Sequence, residues 1–208
     1  MDRTLLIRAA CAVRDTMIAN QDYLTSLDQQ NGDGDLGVSM VQGYSAVARY
    51  LEGVEEEDLG RLFMKAASVF NEAAPSTLGT ITSFFLMGMA RALKGRREAS
   101  LEDMAAACEA GLALLMEKAG SKPGEKTIVD SLEPAVRALR AHLGEGARKA
   151  LAEAAHAAAE GSEATRAMKP VHGRAAYYGD KSIGLLDGGS VAGRLVFESL
   201  AALASSSH

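Results

Sequence analysis

The 208-residue chain reads as an all-α protein, a single domain of about eight helices over residues 1–208. Three observations predict this. Apolar residues return at helical spacing through most of the chain. No two alternating segments joined by a turn signal make a strand pair. No repeat or linker divides the sequence, and its length suits one substantial core.

The first helix is expected over residues 3–20, where Leu5, Leu6, Ala9, Ala10, Val13 and Met17 share a face. A loop follows, and helical spacing resumes over residues 36–51 through Met40, Val41, Tyr44 and Val47. The acids of residues 55–58 are expected to open a third helix, since a first turn favours negative charge. Pro75-Ser76-Thr77 starts a fourth, apolar nearly all round and so expected in the core. Ser100 caps a fifth, with Glu102 and Asp103 behind it, running to about residue 118. A sixth covers about 127–142 and tolerates Pro134 in its early turns. Gly144 and Gly146 break the chain before an alanine-rich seventh that runs to about residue 168. Residues 170–189 lose the helical period, and an irregular stretch of that length is functional or disordered. An eighth helix, about 190–204, precedes the polar tail Ser205-Ser206-Ser207-His208.

Composition removes several classes of function. The net charge of −5 and the lack of a long basic run argue against a nucleic-acid partner. Residues 73–90 lack charge but contain Pro75, Gly79 and Gly88, so a buried helix explains them better than a membrane span. The polar start Met1-Asp2-Arg3-Thr4 has no signal-peptide pattern, and the expected location is the cytoplasm. Cys11 and Cys108 are far apart in helical patterns and read as small core residues, not a disulfide or zinc pair. His142 and His156 fall in helices and His172 stands alone, so no nucleophile–base pair is evident.

The chemistry gathers in Leu27-Asp28-Gln29-Gln30-Asn31-Gly32-Asp33-Gly34-Asp35-Leu36-Gly37. Asp28, Asp33 and Asp35 fall within one short loop pinned by Gly32 and Gly34, which permit angles that a side chain forbids. Converging carboxylates repel one another unless a cation sits between them, and hard oxygens suit Mg²⁺ or Ca²⁺. A solvated turn is the plainer reading, since Asn-Gly and Asp-Gly are common turn dipeptides; the density of acids favours metal. An EF-hand fails: counted from Asn31, the turn glycine is Leu36 and the bidentate Glu is Gln42. Mg²⁺ fits better, because it completes a few carboxylates with water and phosphate.

This run resembles L-D-x-x-x-G-D-G-D-H-G-x-N-M, the signature of the nucleotide-binding L subunit of dihydroxyacetone kinases. The resemblance implies eight antiparallel helices closed into a barrel, with Asp28, Asp33 and Asp35 holding two Mg²⁺ ions against the phosphates of ADP or ATP. Leu36 replaces the family's His and Ser39 its Asn, beside Gly37, all on the phosphate side. Three later segments resemble the family in the same order. Glu72-Ala73-Ala74-Pro75-Ser76-Thr77-Leu78-Gly79-Thr80 resembles G-A-S-G-P-L-x-G-T, with Ala74, Ser76 and Thr77 placed by allowing a shift. Alone it is a helix start, where capping by Ser76 or Thr77 competes with anion binding. Pro123-Gly124-Glu125-Lys126-Thr127-Ile128-Val129-Asp130 resembles P-G-D-K-T-M-x-D, which implies Ile128 beside adenine, with Gly120 among the nucleotide contacts.

Gly173-Arg174-Ala175-Ala176-Tyr177-Tyr178-Gly179-Asp180-Lys181-Ser182-Ile183-Gly184-Leu185-Leu186-Asp187-Gly188-Gly189 resembles G-R-A-S-Y-L-G-E-R-S-I-G-H-x-D-P-G. That implies Arg174 at phosphate and Asp187 with Gly188 at the nucleotide, while Lys181 replaces an Arg and Leu185 a His. Read alone, Arg174 is a surface ion pair and Asp187 a helix cap. Taken together, the resemblance implies a kinase subunit that transfers phosphate to a short ketose, such as dihydroxyacetone, held on a separate K-type subunit. In one branch of the family ADP stays bound and is recharged by a phosphocarrier protein; the resemblance leaves that source and ATP that is consumed and exchanged both open, as it does a homodimer. The competing reading, motivated by Leu36, Ser39 and Leu185, is a non-catalytic nucleotide-binding regulatory paralogue; a kinase subunit for another short-chain acceptor is a further alternative.

Overall fold

The structure is a computed structural model and describes residues 1–206; Ser207 and His208 of the polar tail lie outside the described residues. Among these are nine α-helices and no strand: α1 (Arg3–Ala19), α2 (Gln21–Asp28), α3 (Leu36–Gly53), α4 (Leu59–Ala73), α5 (Thr77–Ala92), α6 (Leu101–Ala119), α7 (Val129–Ala141), α8 (Ala147–Ala164) and α9 (Gly188–Ser206). Short 3₁₀ turns cover Leu143–Glu145, Thr165–Ala167 and Arg174–Ser182.

Every long helix packs on its neighbour in sequence: α1 on α3, then α3 on α4, and so on to α9, which returns to α1. The eight long helices therefore close a ring, and the ninth, α2, packs against α3 and α9. Short connections make most packed neighbours antiparallel, and the long 165–187 connection returns to the end of α8, where Asp187 N donates to Thr165 Oγ1 at 3.1 Å. Every second connection then falls at the same end. One end gathers residues 29–35, 74–76, 120–128 and 165–187. The other gathers 54–58, 93–100 and the N-terminus, tied by Met1 N to Ala99 O at 2.6 Å and Leu59 N to Arg96 O at 2.7 Å.

Met17, Leu24, Met40, Leu59, Leu62, Phe70, Leu93 and Val191 are fully buried inside the ring. Tyr44 meets Phe70 edge-on, with centroids 4.9 Å apart. The buried stripe of α8 is Ala150, Ala154, Ala158 and Ser162, small residues that let its backbone approach α7.

Four local expectations change. The additional helix α2 is too short for a clear period and is marked only by buried Leu24 and Leu27. The acids of residues 55–58 precede α4 instead of forming its first turn, because Asp58 caps the helix by accepting from Arg61 N at 3.0 Å. The apolar helix α5 is only partly enclosed: Ile81, Phe84 and Phe85 are half-buried. Both cysteines are free; Cys108 packs against the core as expected, whereas Cys11 is only half-buried and outside it.

Helices α5 and α6 meet where Gly88 faces Gly111. A Cβ on Gly88 would lie 2.4 Å from Ala110 O and 2.6 Å from Gly111 Cα, both backbone atoms that cannot rotate away. Gly88→Ala gains helix propensity of about 1 kcal/mol. Overpacking costs about 1–3 kcal/mol and should win, lowering the urea midpoint at unchanged m-value; a raised midpoint would contradict the close α5–α6 approach.

Candidate functional site

The aspartate loop joins α2 to α3. Asp28 ends α2, and its Oδ2 accepts from Gly34 N at 2.7 Å and Asp35 N at 3.0 Å. The loop thus folds back over its own first carboxylate. Gly34 supplies φ 80°, and a Cβ on Gly32 would sit 2.1 Å from Asp28 Oδ1, so neither position has room for another residue. One oxygen from each of Asp28, Asp33 and Asp35 lies within 4.8 Å of the others. Burial raises the Asp35 carboxyl above its usual range, with Asp33 and Asp28 adding to the rise and Arg174 opposing it. The Arg174 guanidinium pairs with Asp33, reaching the loop from the 165–187 segment.

These carboxylates edge a cleft of about 1100 Å³ at the end of the ring where the four connections meet. From the sequence-derived set, Leu36, Ser76, Thr77, Ile128, Arg174, Asp187 and Gly188 line it with the three aspartates. Gly37, Ser39, Ala74 and Gly120 do not. Gly37 is packed on α2, where a Cβ would meet Gln21 O at 2.2 Å. Ser39 and Ala74 are buried, and Gly120 is the left-handed cap of α6. Lys181 and Leu185 also lie outside the lining.

At the start of α5, Ser76 Oγ accepts from Gly79 N at 3.1 Å, so this hydroxyl serves as the cap. The preceding amides point out of the helix end, as at any N-terminus. Leu36 opens α3 on the cleft wall, and a Cβ on Gly188 would lie 3.0 Å from its Cδ1. The loop before α7 is organised by Asp130, whose carboxylate accepts from Gly124 N at 2.5 Å and Thr127 N at 2.7 Å. That cap moves the start of α7 to Val129, two residues later than the sequence implies.

The apolar wall was not legible as a site. Leu78, Ile81 and Phe84 from α5, Leu115 and Ala119 from α6, and Ile128 all line the cleft. The available signal was helical spacing from Thr77 through Ile81 to Phe84, which reads equally as core. His172, which seemed isolated in sequence, lines the cleft with its Nε2 2.7 Å from Glu125 Oε2. The His172 bond is the first cause holding Glu125 below the usual carboxylate range.

Asp187 caps α9 by accepting from Ser190 N at 2.6 Å. Burial pushes its carboxyl up from 3.8 to about 7, against the Ser190 amide and Lys126; Asp130 and Asp28 add to the rise. The folded chain therefore keeps a proton that the unfolded chain has released. Stability from this group is complete below about pH 4 and falls as pH rises to about 7. Asn caps as well as Asp but does not titrate. Between those pH values the Tm of Asp187→Asn should gain on wild type by roughly 10 °C, since a shift of this size is about 4 kcal/mol, measured without metal or nucleotide. A constant Tm gap would show that Asp187 is ionised throughout.

The DAK2 domain family matches residues 30–202, which include Asp33, Asp35, Arg174 and Asp187. The chain is 28% identical to the ADP-binding subunit DhaL of the PEP-dependent dihydroxyacetone kinase of Escherichia coli (strain K12), over 97% of each. It is 31% identical to the ADP-binding subunit DhaL of PEP-dependent dihydroxyacetone kinase 1 of Listeria innocua serovar 6a, over 87% of this chain and 86% of the relative. The crystal structure of the dihydroxyacetone kinase from C. freundii in complex with AMP-PNP and Mg²⁺ superposes with a TM-score of 0.78 at 25% identity. That match covers 96% of this chain and 34% of the kinase.

Proposed function

The chain belongs to the DAK2 domain family, and from that premise we propose that it is the nucleotide-binding, phosphoryl-transferring subunit of a short-ketose kinase. The observation that carries this reading is the convergence of Asp28, Asp33 and Asp35 in a cleft that is also lined by Leu78, Ile81, Phe84 and Ile128. A nucleotide combines the same two characters, with anionic phosphates at one end and a flat base at the other.

The residues fit Mg²⁺. Three carboxylates within 4.8 Å form a hard-oxygen set, and Arg174 relieves part of their mutual repulsion. Two Mg²⁺ held by Asp28, Asp33 and Asp35 would neutralise phosphate charge and fix the terminal phosphoryl group for in-line transfer. Arg174 offers a fork of donors suited to phosphate oxygens. The open amides at the start of α5 favour anions there. Leu78, Ile81, Phe84 and Ile128 supply a surface for adenine and keep water from that side. The acceptor hydroxyl would come from a ketose held on a K-type partner subunit. Two relatives are named PEP-dependent and ADP-binding, which supports ADP that stays bound and is recharged by a phosphocarrier over ATP that exchanges.

Leu36 favours the second reading, a nucleotide-binding regulator. It places an aliphatic chain on the cleft wall beside the metal ligands, where no hydrogen bond can be given to a phosphate. We rank it second because the carboxylate set, the more demanding one, is complete.

Calorimetry with ADP should show binding in Mg²⁺ and much weaker binding in EDTA. Asp33→Ala and Asp35→Ala should each weaken it by roughly 10–100-fold or more, the range known for even indirect metal supports. Equal affinity with and without metal would remove the metal site.

Turnover separates the two readings. The chain alone, with ATP and dihydroxyacetone, should give only background product, and adding the ketose-binding subunit should give the phosphorylated ketose. Leu36→His should then raise kcat, since one donor to the transition state is worth about 10²–10³ in rate. No product from either reconstituted protein would favour the regulator.

A further inference from the structure

Lys126 stands in the loop that borders the cleft, a place where a lysine would ordinarily be assigned to phosphate. Its side chain is committed elsewhere. The residue is 3% exposed, and its ammonium donates to Thr165 O at 2.8 Å, Ser182 O at 2.8 Å and Leu185 O at 2.7 Å. An ammonium has three hydrogens, and all three are used. No donor remains for a nucleotide.

The three carbonyls come from the end of α8, the end of the Arg174–Ser182 turns and the residue two before Asp187. Ser182 and Leu185 are near neighbours, whereas Thr165 comes well before them, and Lys126 ties the two stretches alongside direct bonds from Gly184 N to Arg166 O at 2.8 Å, from Arg166 Nη1 to Gly184 O at 2.8 Å and from Asp187 N to Thr165 Oγ1 at 3.1 Å. The backbone of Lys126 confirms the demand, because it sits at φ 61°, where a lysine is rarely found. Asp130 holds the loop on both sides, at Gly124 N and Thr127 N, and so keeps it there. The residue before it makes a second grip: Glu125 O accepts from Val171 N at 3.3 Å, and the Glu125 carboxylate meets His172. The 165–187 segment is thus held near Arg174 by Glu125 and near Asp187 by Lys126.

We propose that Lys126 is a positioning residue, a buried cation that gathers the 165–187 segment so that Arg174 and Asp187 face the aspartate loop. This rests on the nucleotide reading for its consequence but not for its geometry. Thr165 O and Ser182 O keep turn bonds from Met168 N and Leu185 N without the lysine. The ring should therefore survive its loss while the segment loosens.

The test is Lys126→Met, which keeps the length and removes the charge. Amide exchange should quicken by about tenfold or more within residues 165–187 and stay unchanged in α3 to α6. Affinity for Mg²⁺-ADP should fall by about tenfold, the scale of one lost charged hydrogen bond. Unchanged exchange in the segment, faster exchange throughout the ring, or faster local exchange with unchanged ADP affinity would each overturn the proposal. Wild-type protein that fails to bind ADP would sink the nucleotide reading alone, and the exchange pattern would still decide whether Lys126 holds the segment. If Lys126→Met does not fold, Lys126→Arg, with donors spread over a planar fork, is judged by the same exchange pattern and ADP affinity.

Discussion

A ring of antiparallel helices joined in sequence must place alternate connections at opposite ends. Every other feature of the site depends on that constraint. The aspartate loop, the start of α5, the loop before α7 and the segment before α9 are separated by pairs of helices, so all four share one end. The opposite end carries the remaining connections, stitched by backbone bonds around Ala99 and Arg96. Packing inside the ring fixes the helices, and the helices fix where each loop begins and ends.

The site end is electrostatically divided. Three carboxylates crowd one edge, and burial together with neighbouring charge raises Asp35 and Asp187. Two cations oppose this in different ways. Arg174 is partly exposed and pairs with Asp33, so its bond is screened and exchangeable. Lys126 is buried among carbonyls and can leave only if the segment opens. One cation is therefore available to a ligand, and the other belongs to the architecture that presents it.

The likeness to dihydroxyacetone kinase subunits spans nearly the whole chain, so the fold is shared rather than a single motif. The departures lie unevenly on that frame. Leu36 is on the cleft wall, whereas Ser39 and Leu185 are outside the lining. A change at Leu36 alters the surface of the cleft itself. A change at Leu185 leaves its carbonyl still bound to Lys126, because that contact uses backbone.

The sequence by itself determined the helical class, most helix positions and the aspartate loop, because these follow from local spacing, capping and turn chemistry. It was ambiguous where tertiary bonds compete with local preference: Asp58 and Asp130 draw the starts of α4 and α7 beyond the acids and Thr127. It could not separate Ile81 and Phe84 from ordinary core, since a cleft wall and a core face share one period. Nor could it show that His172 meets Glu125, or that Lys126 serves carbonyls instead of phosphate. Those partners lie 47, 39, 56 and 59 residues away, and only closure of the ring, by burying an ammonium that must then find acceptors, decides which atoms it reaches.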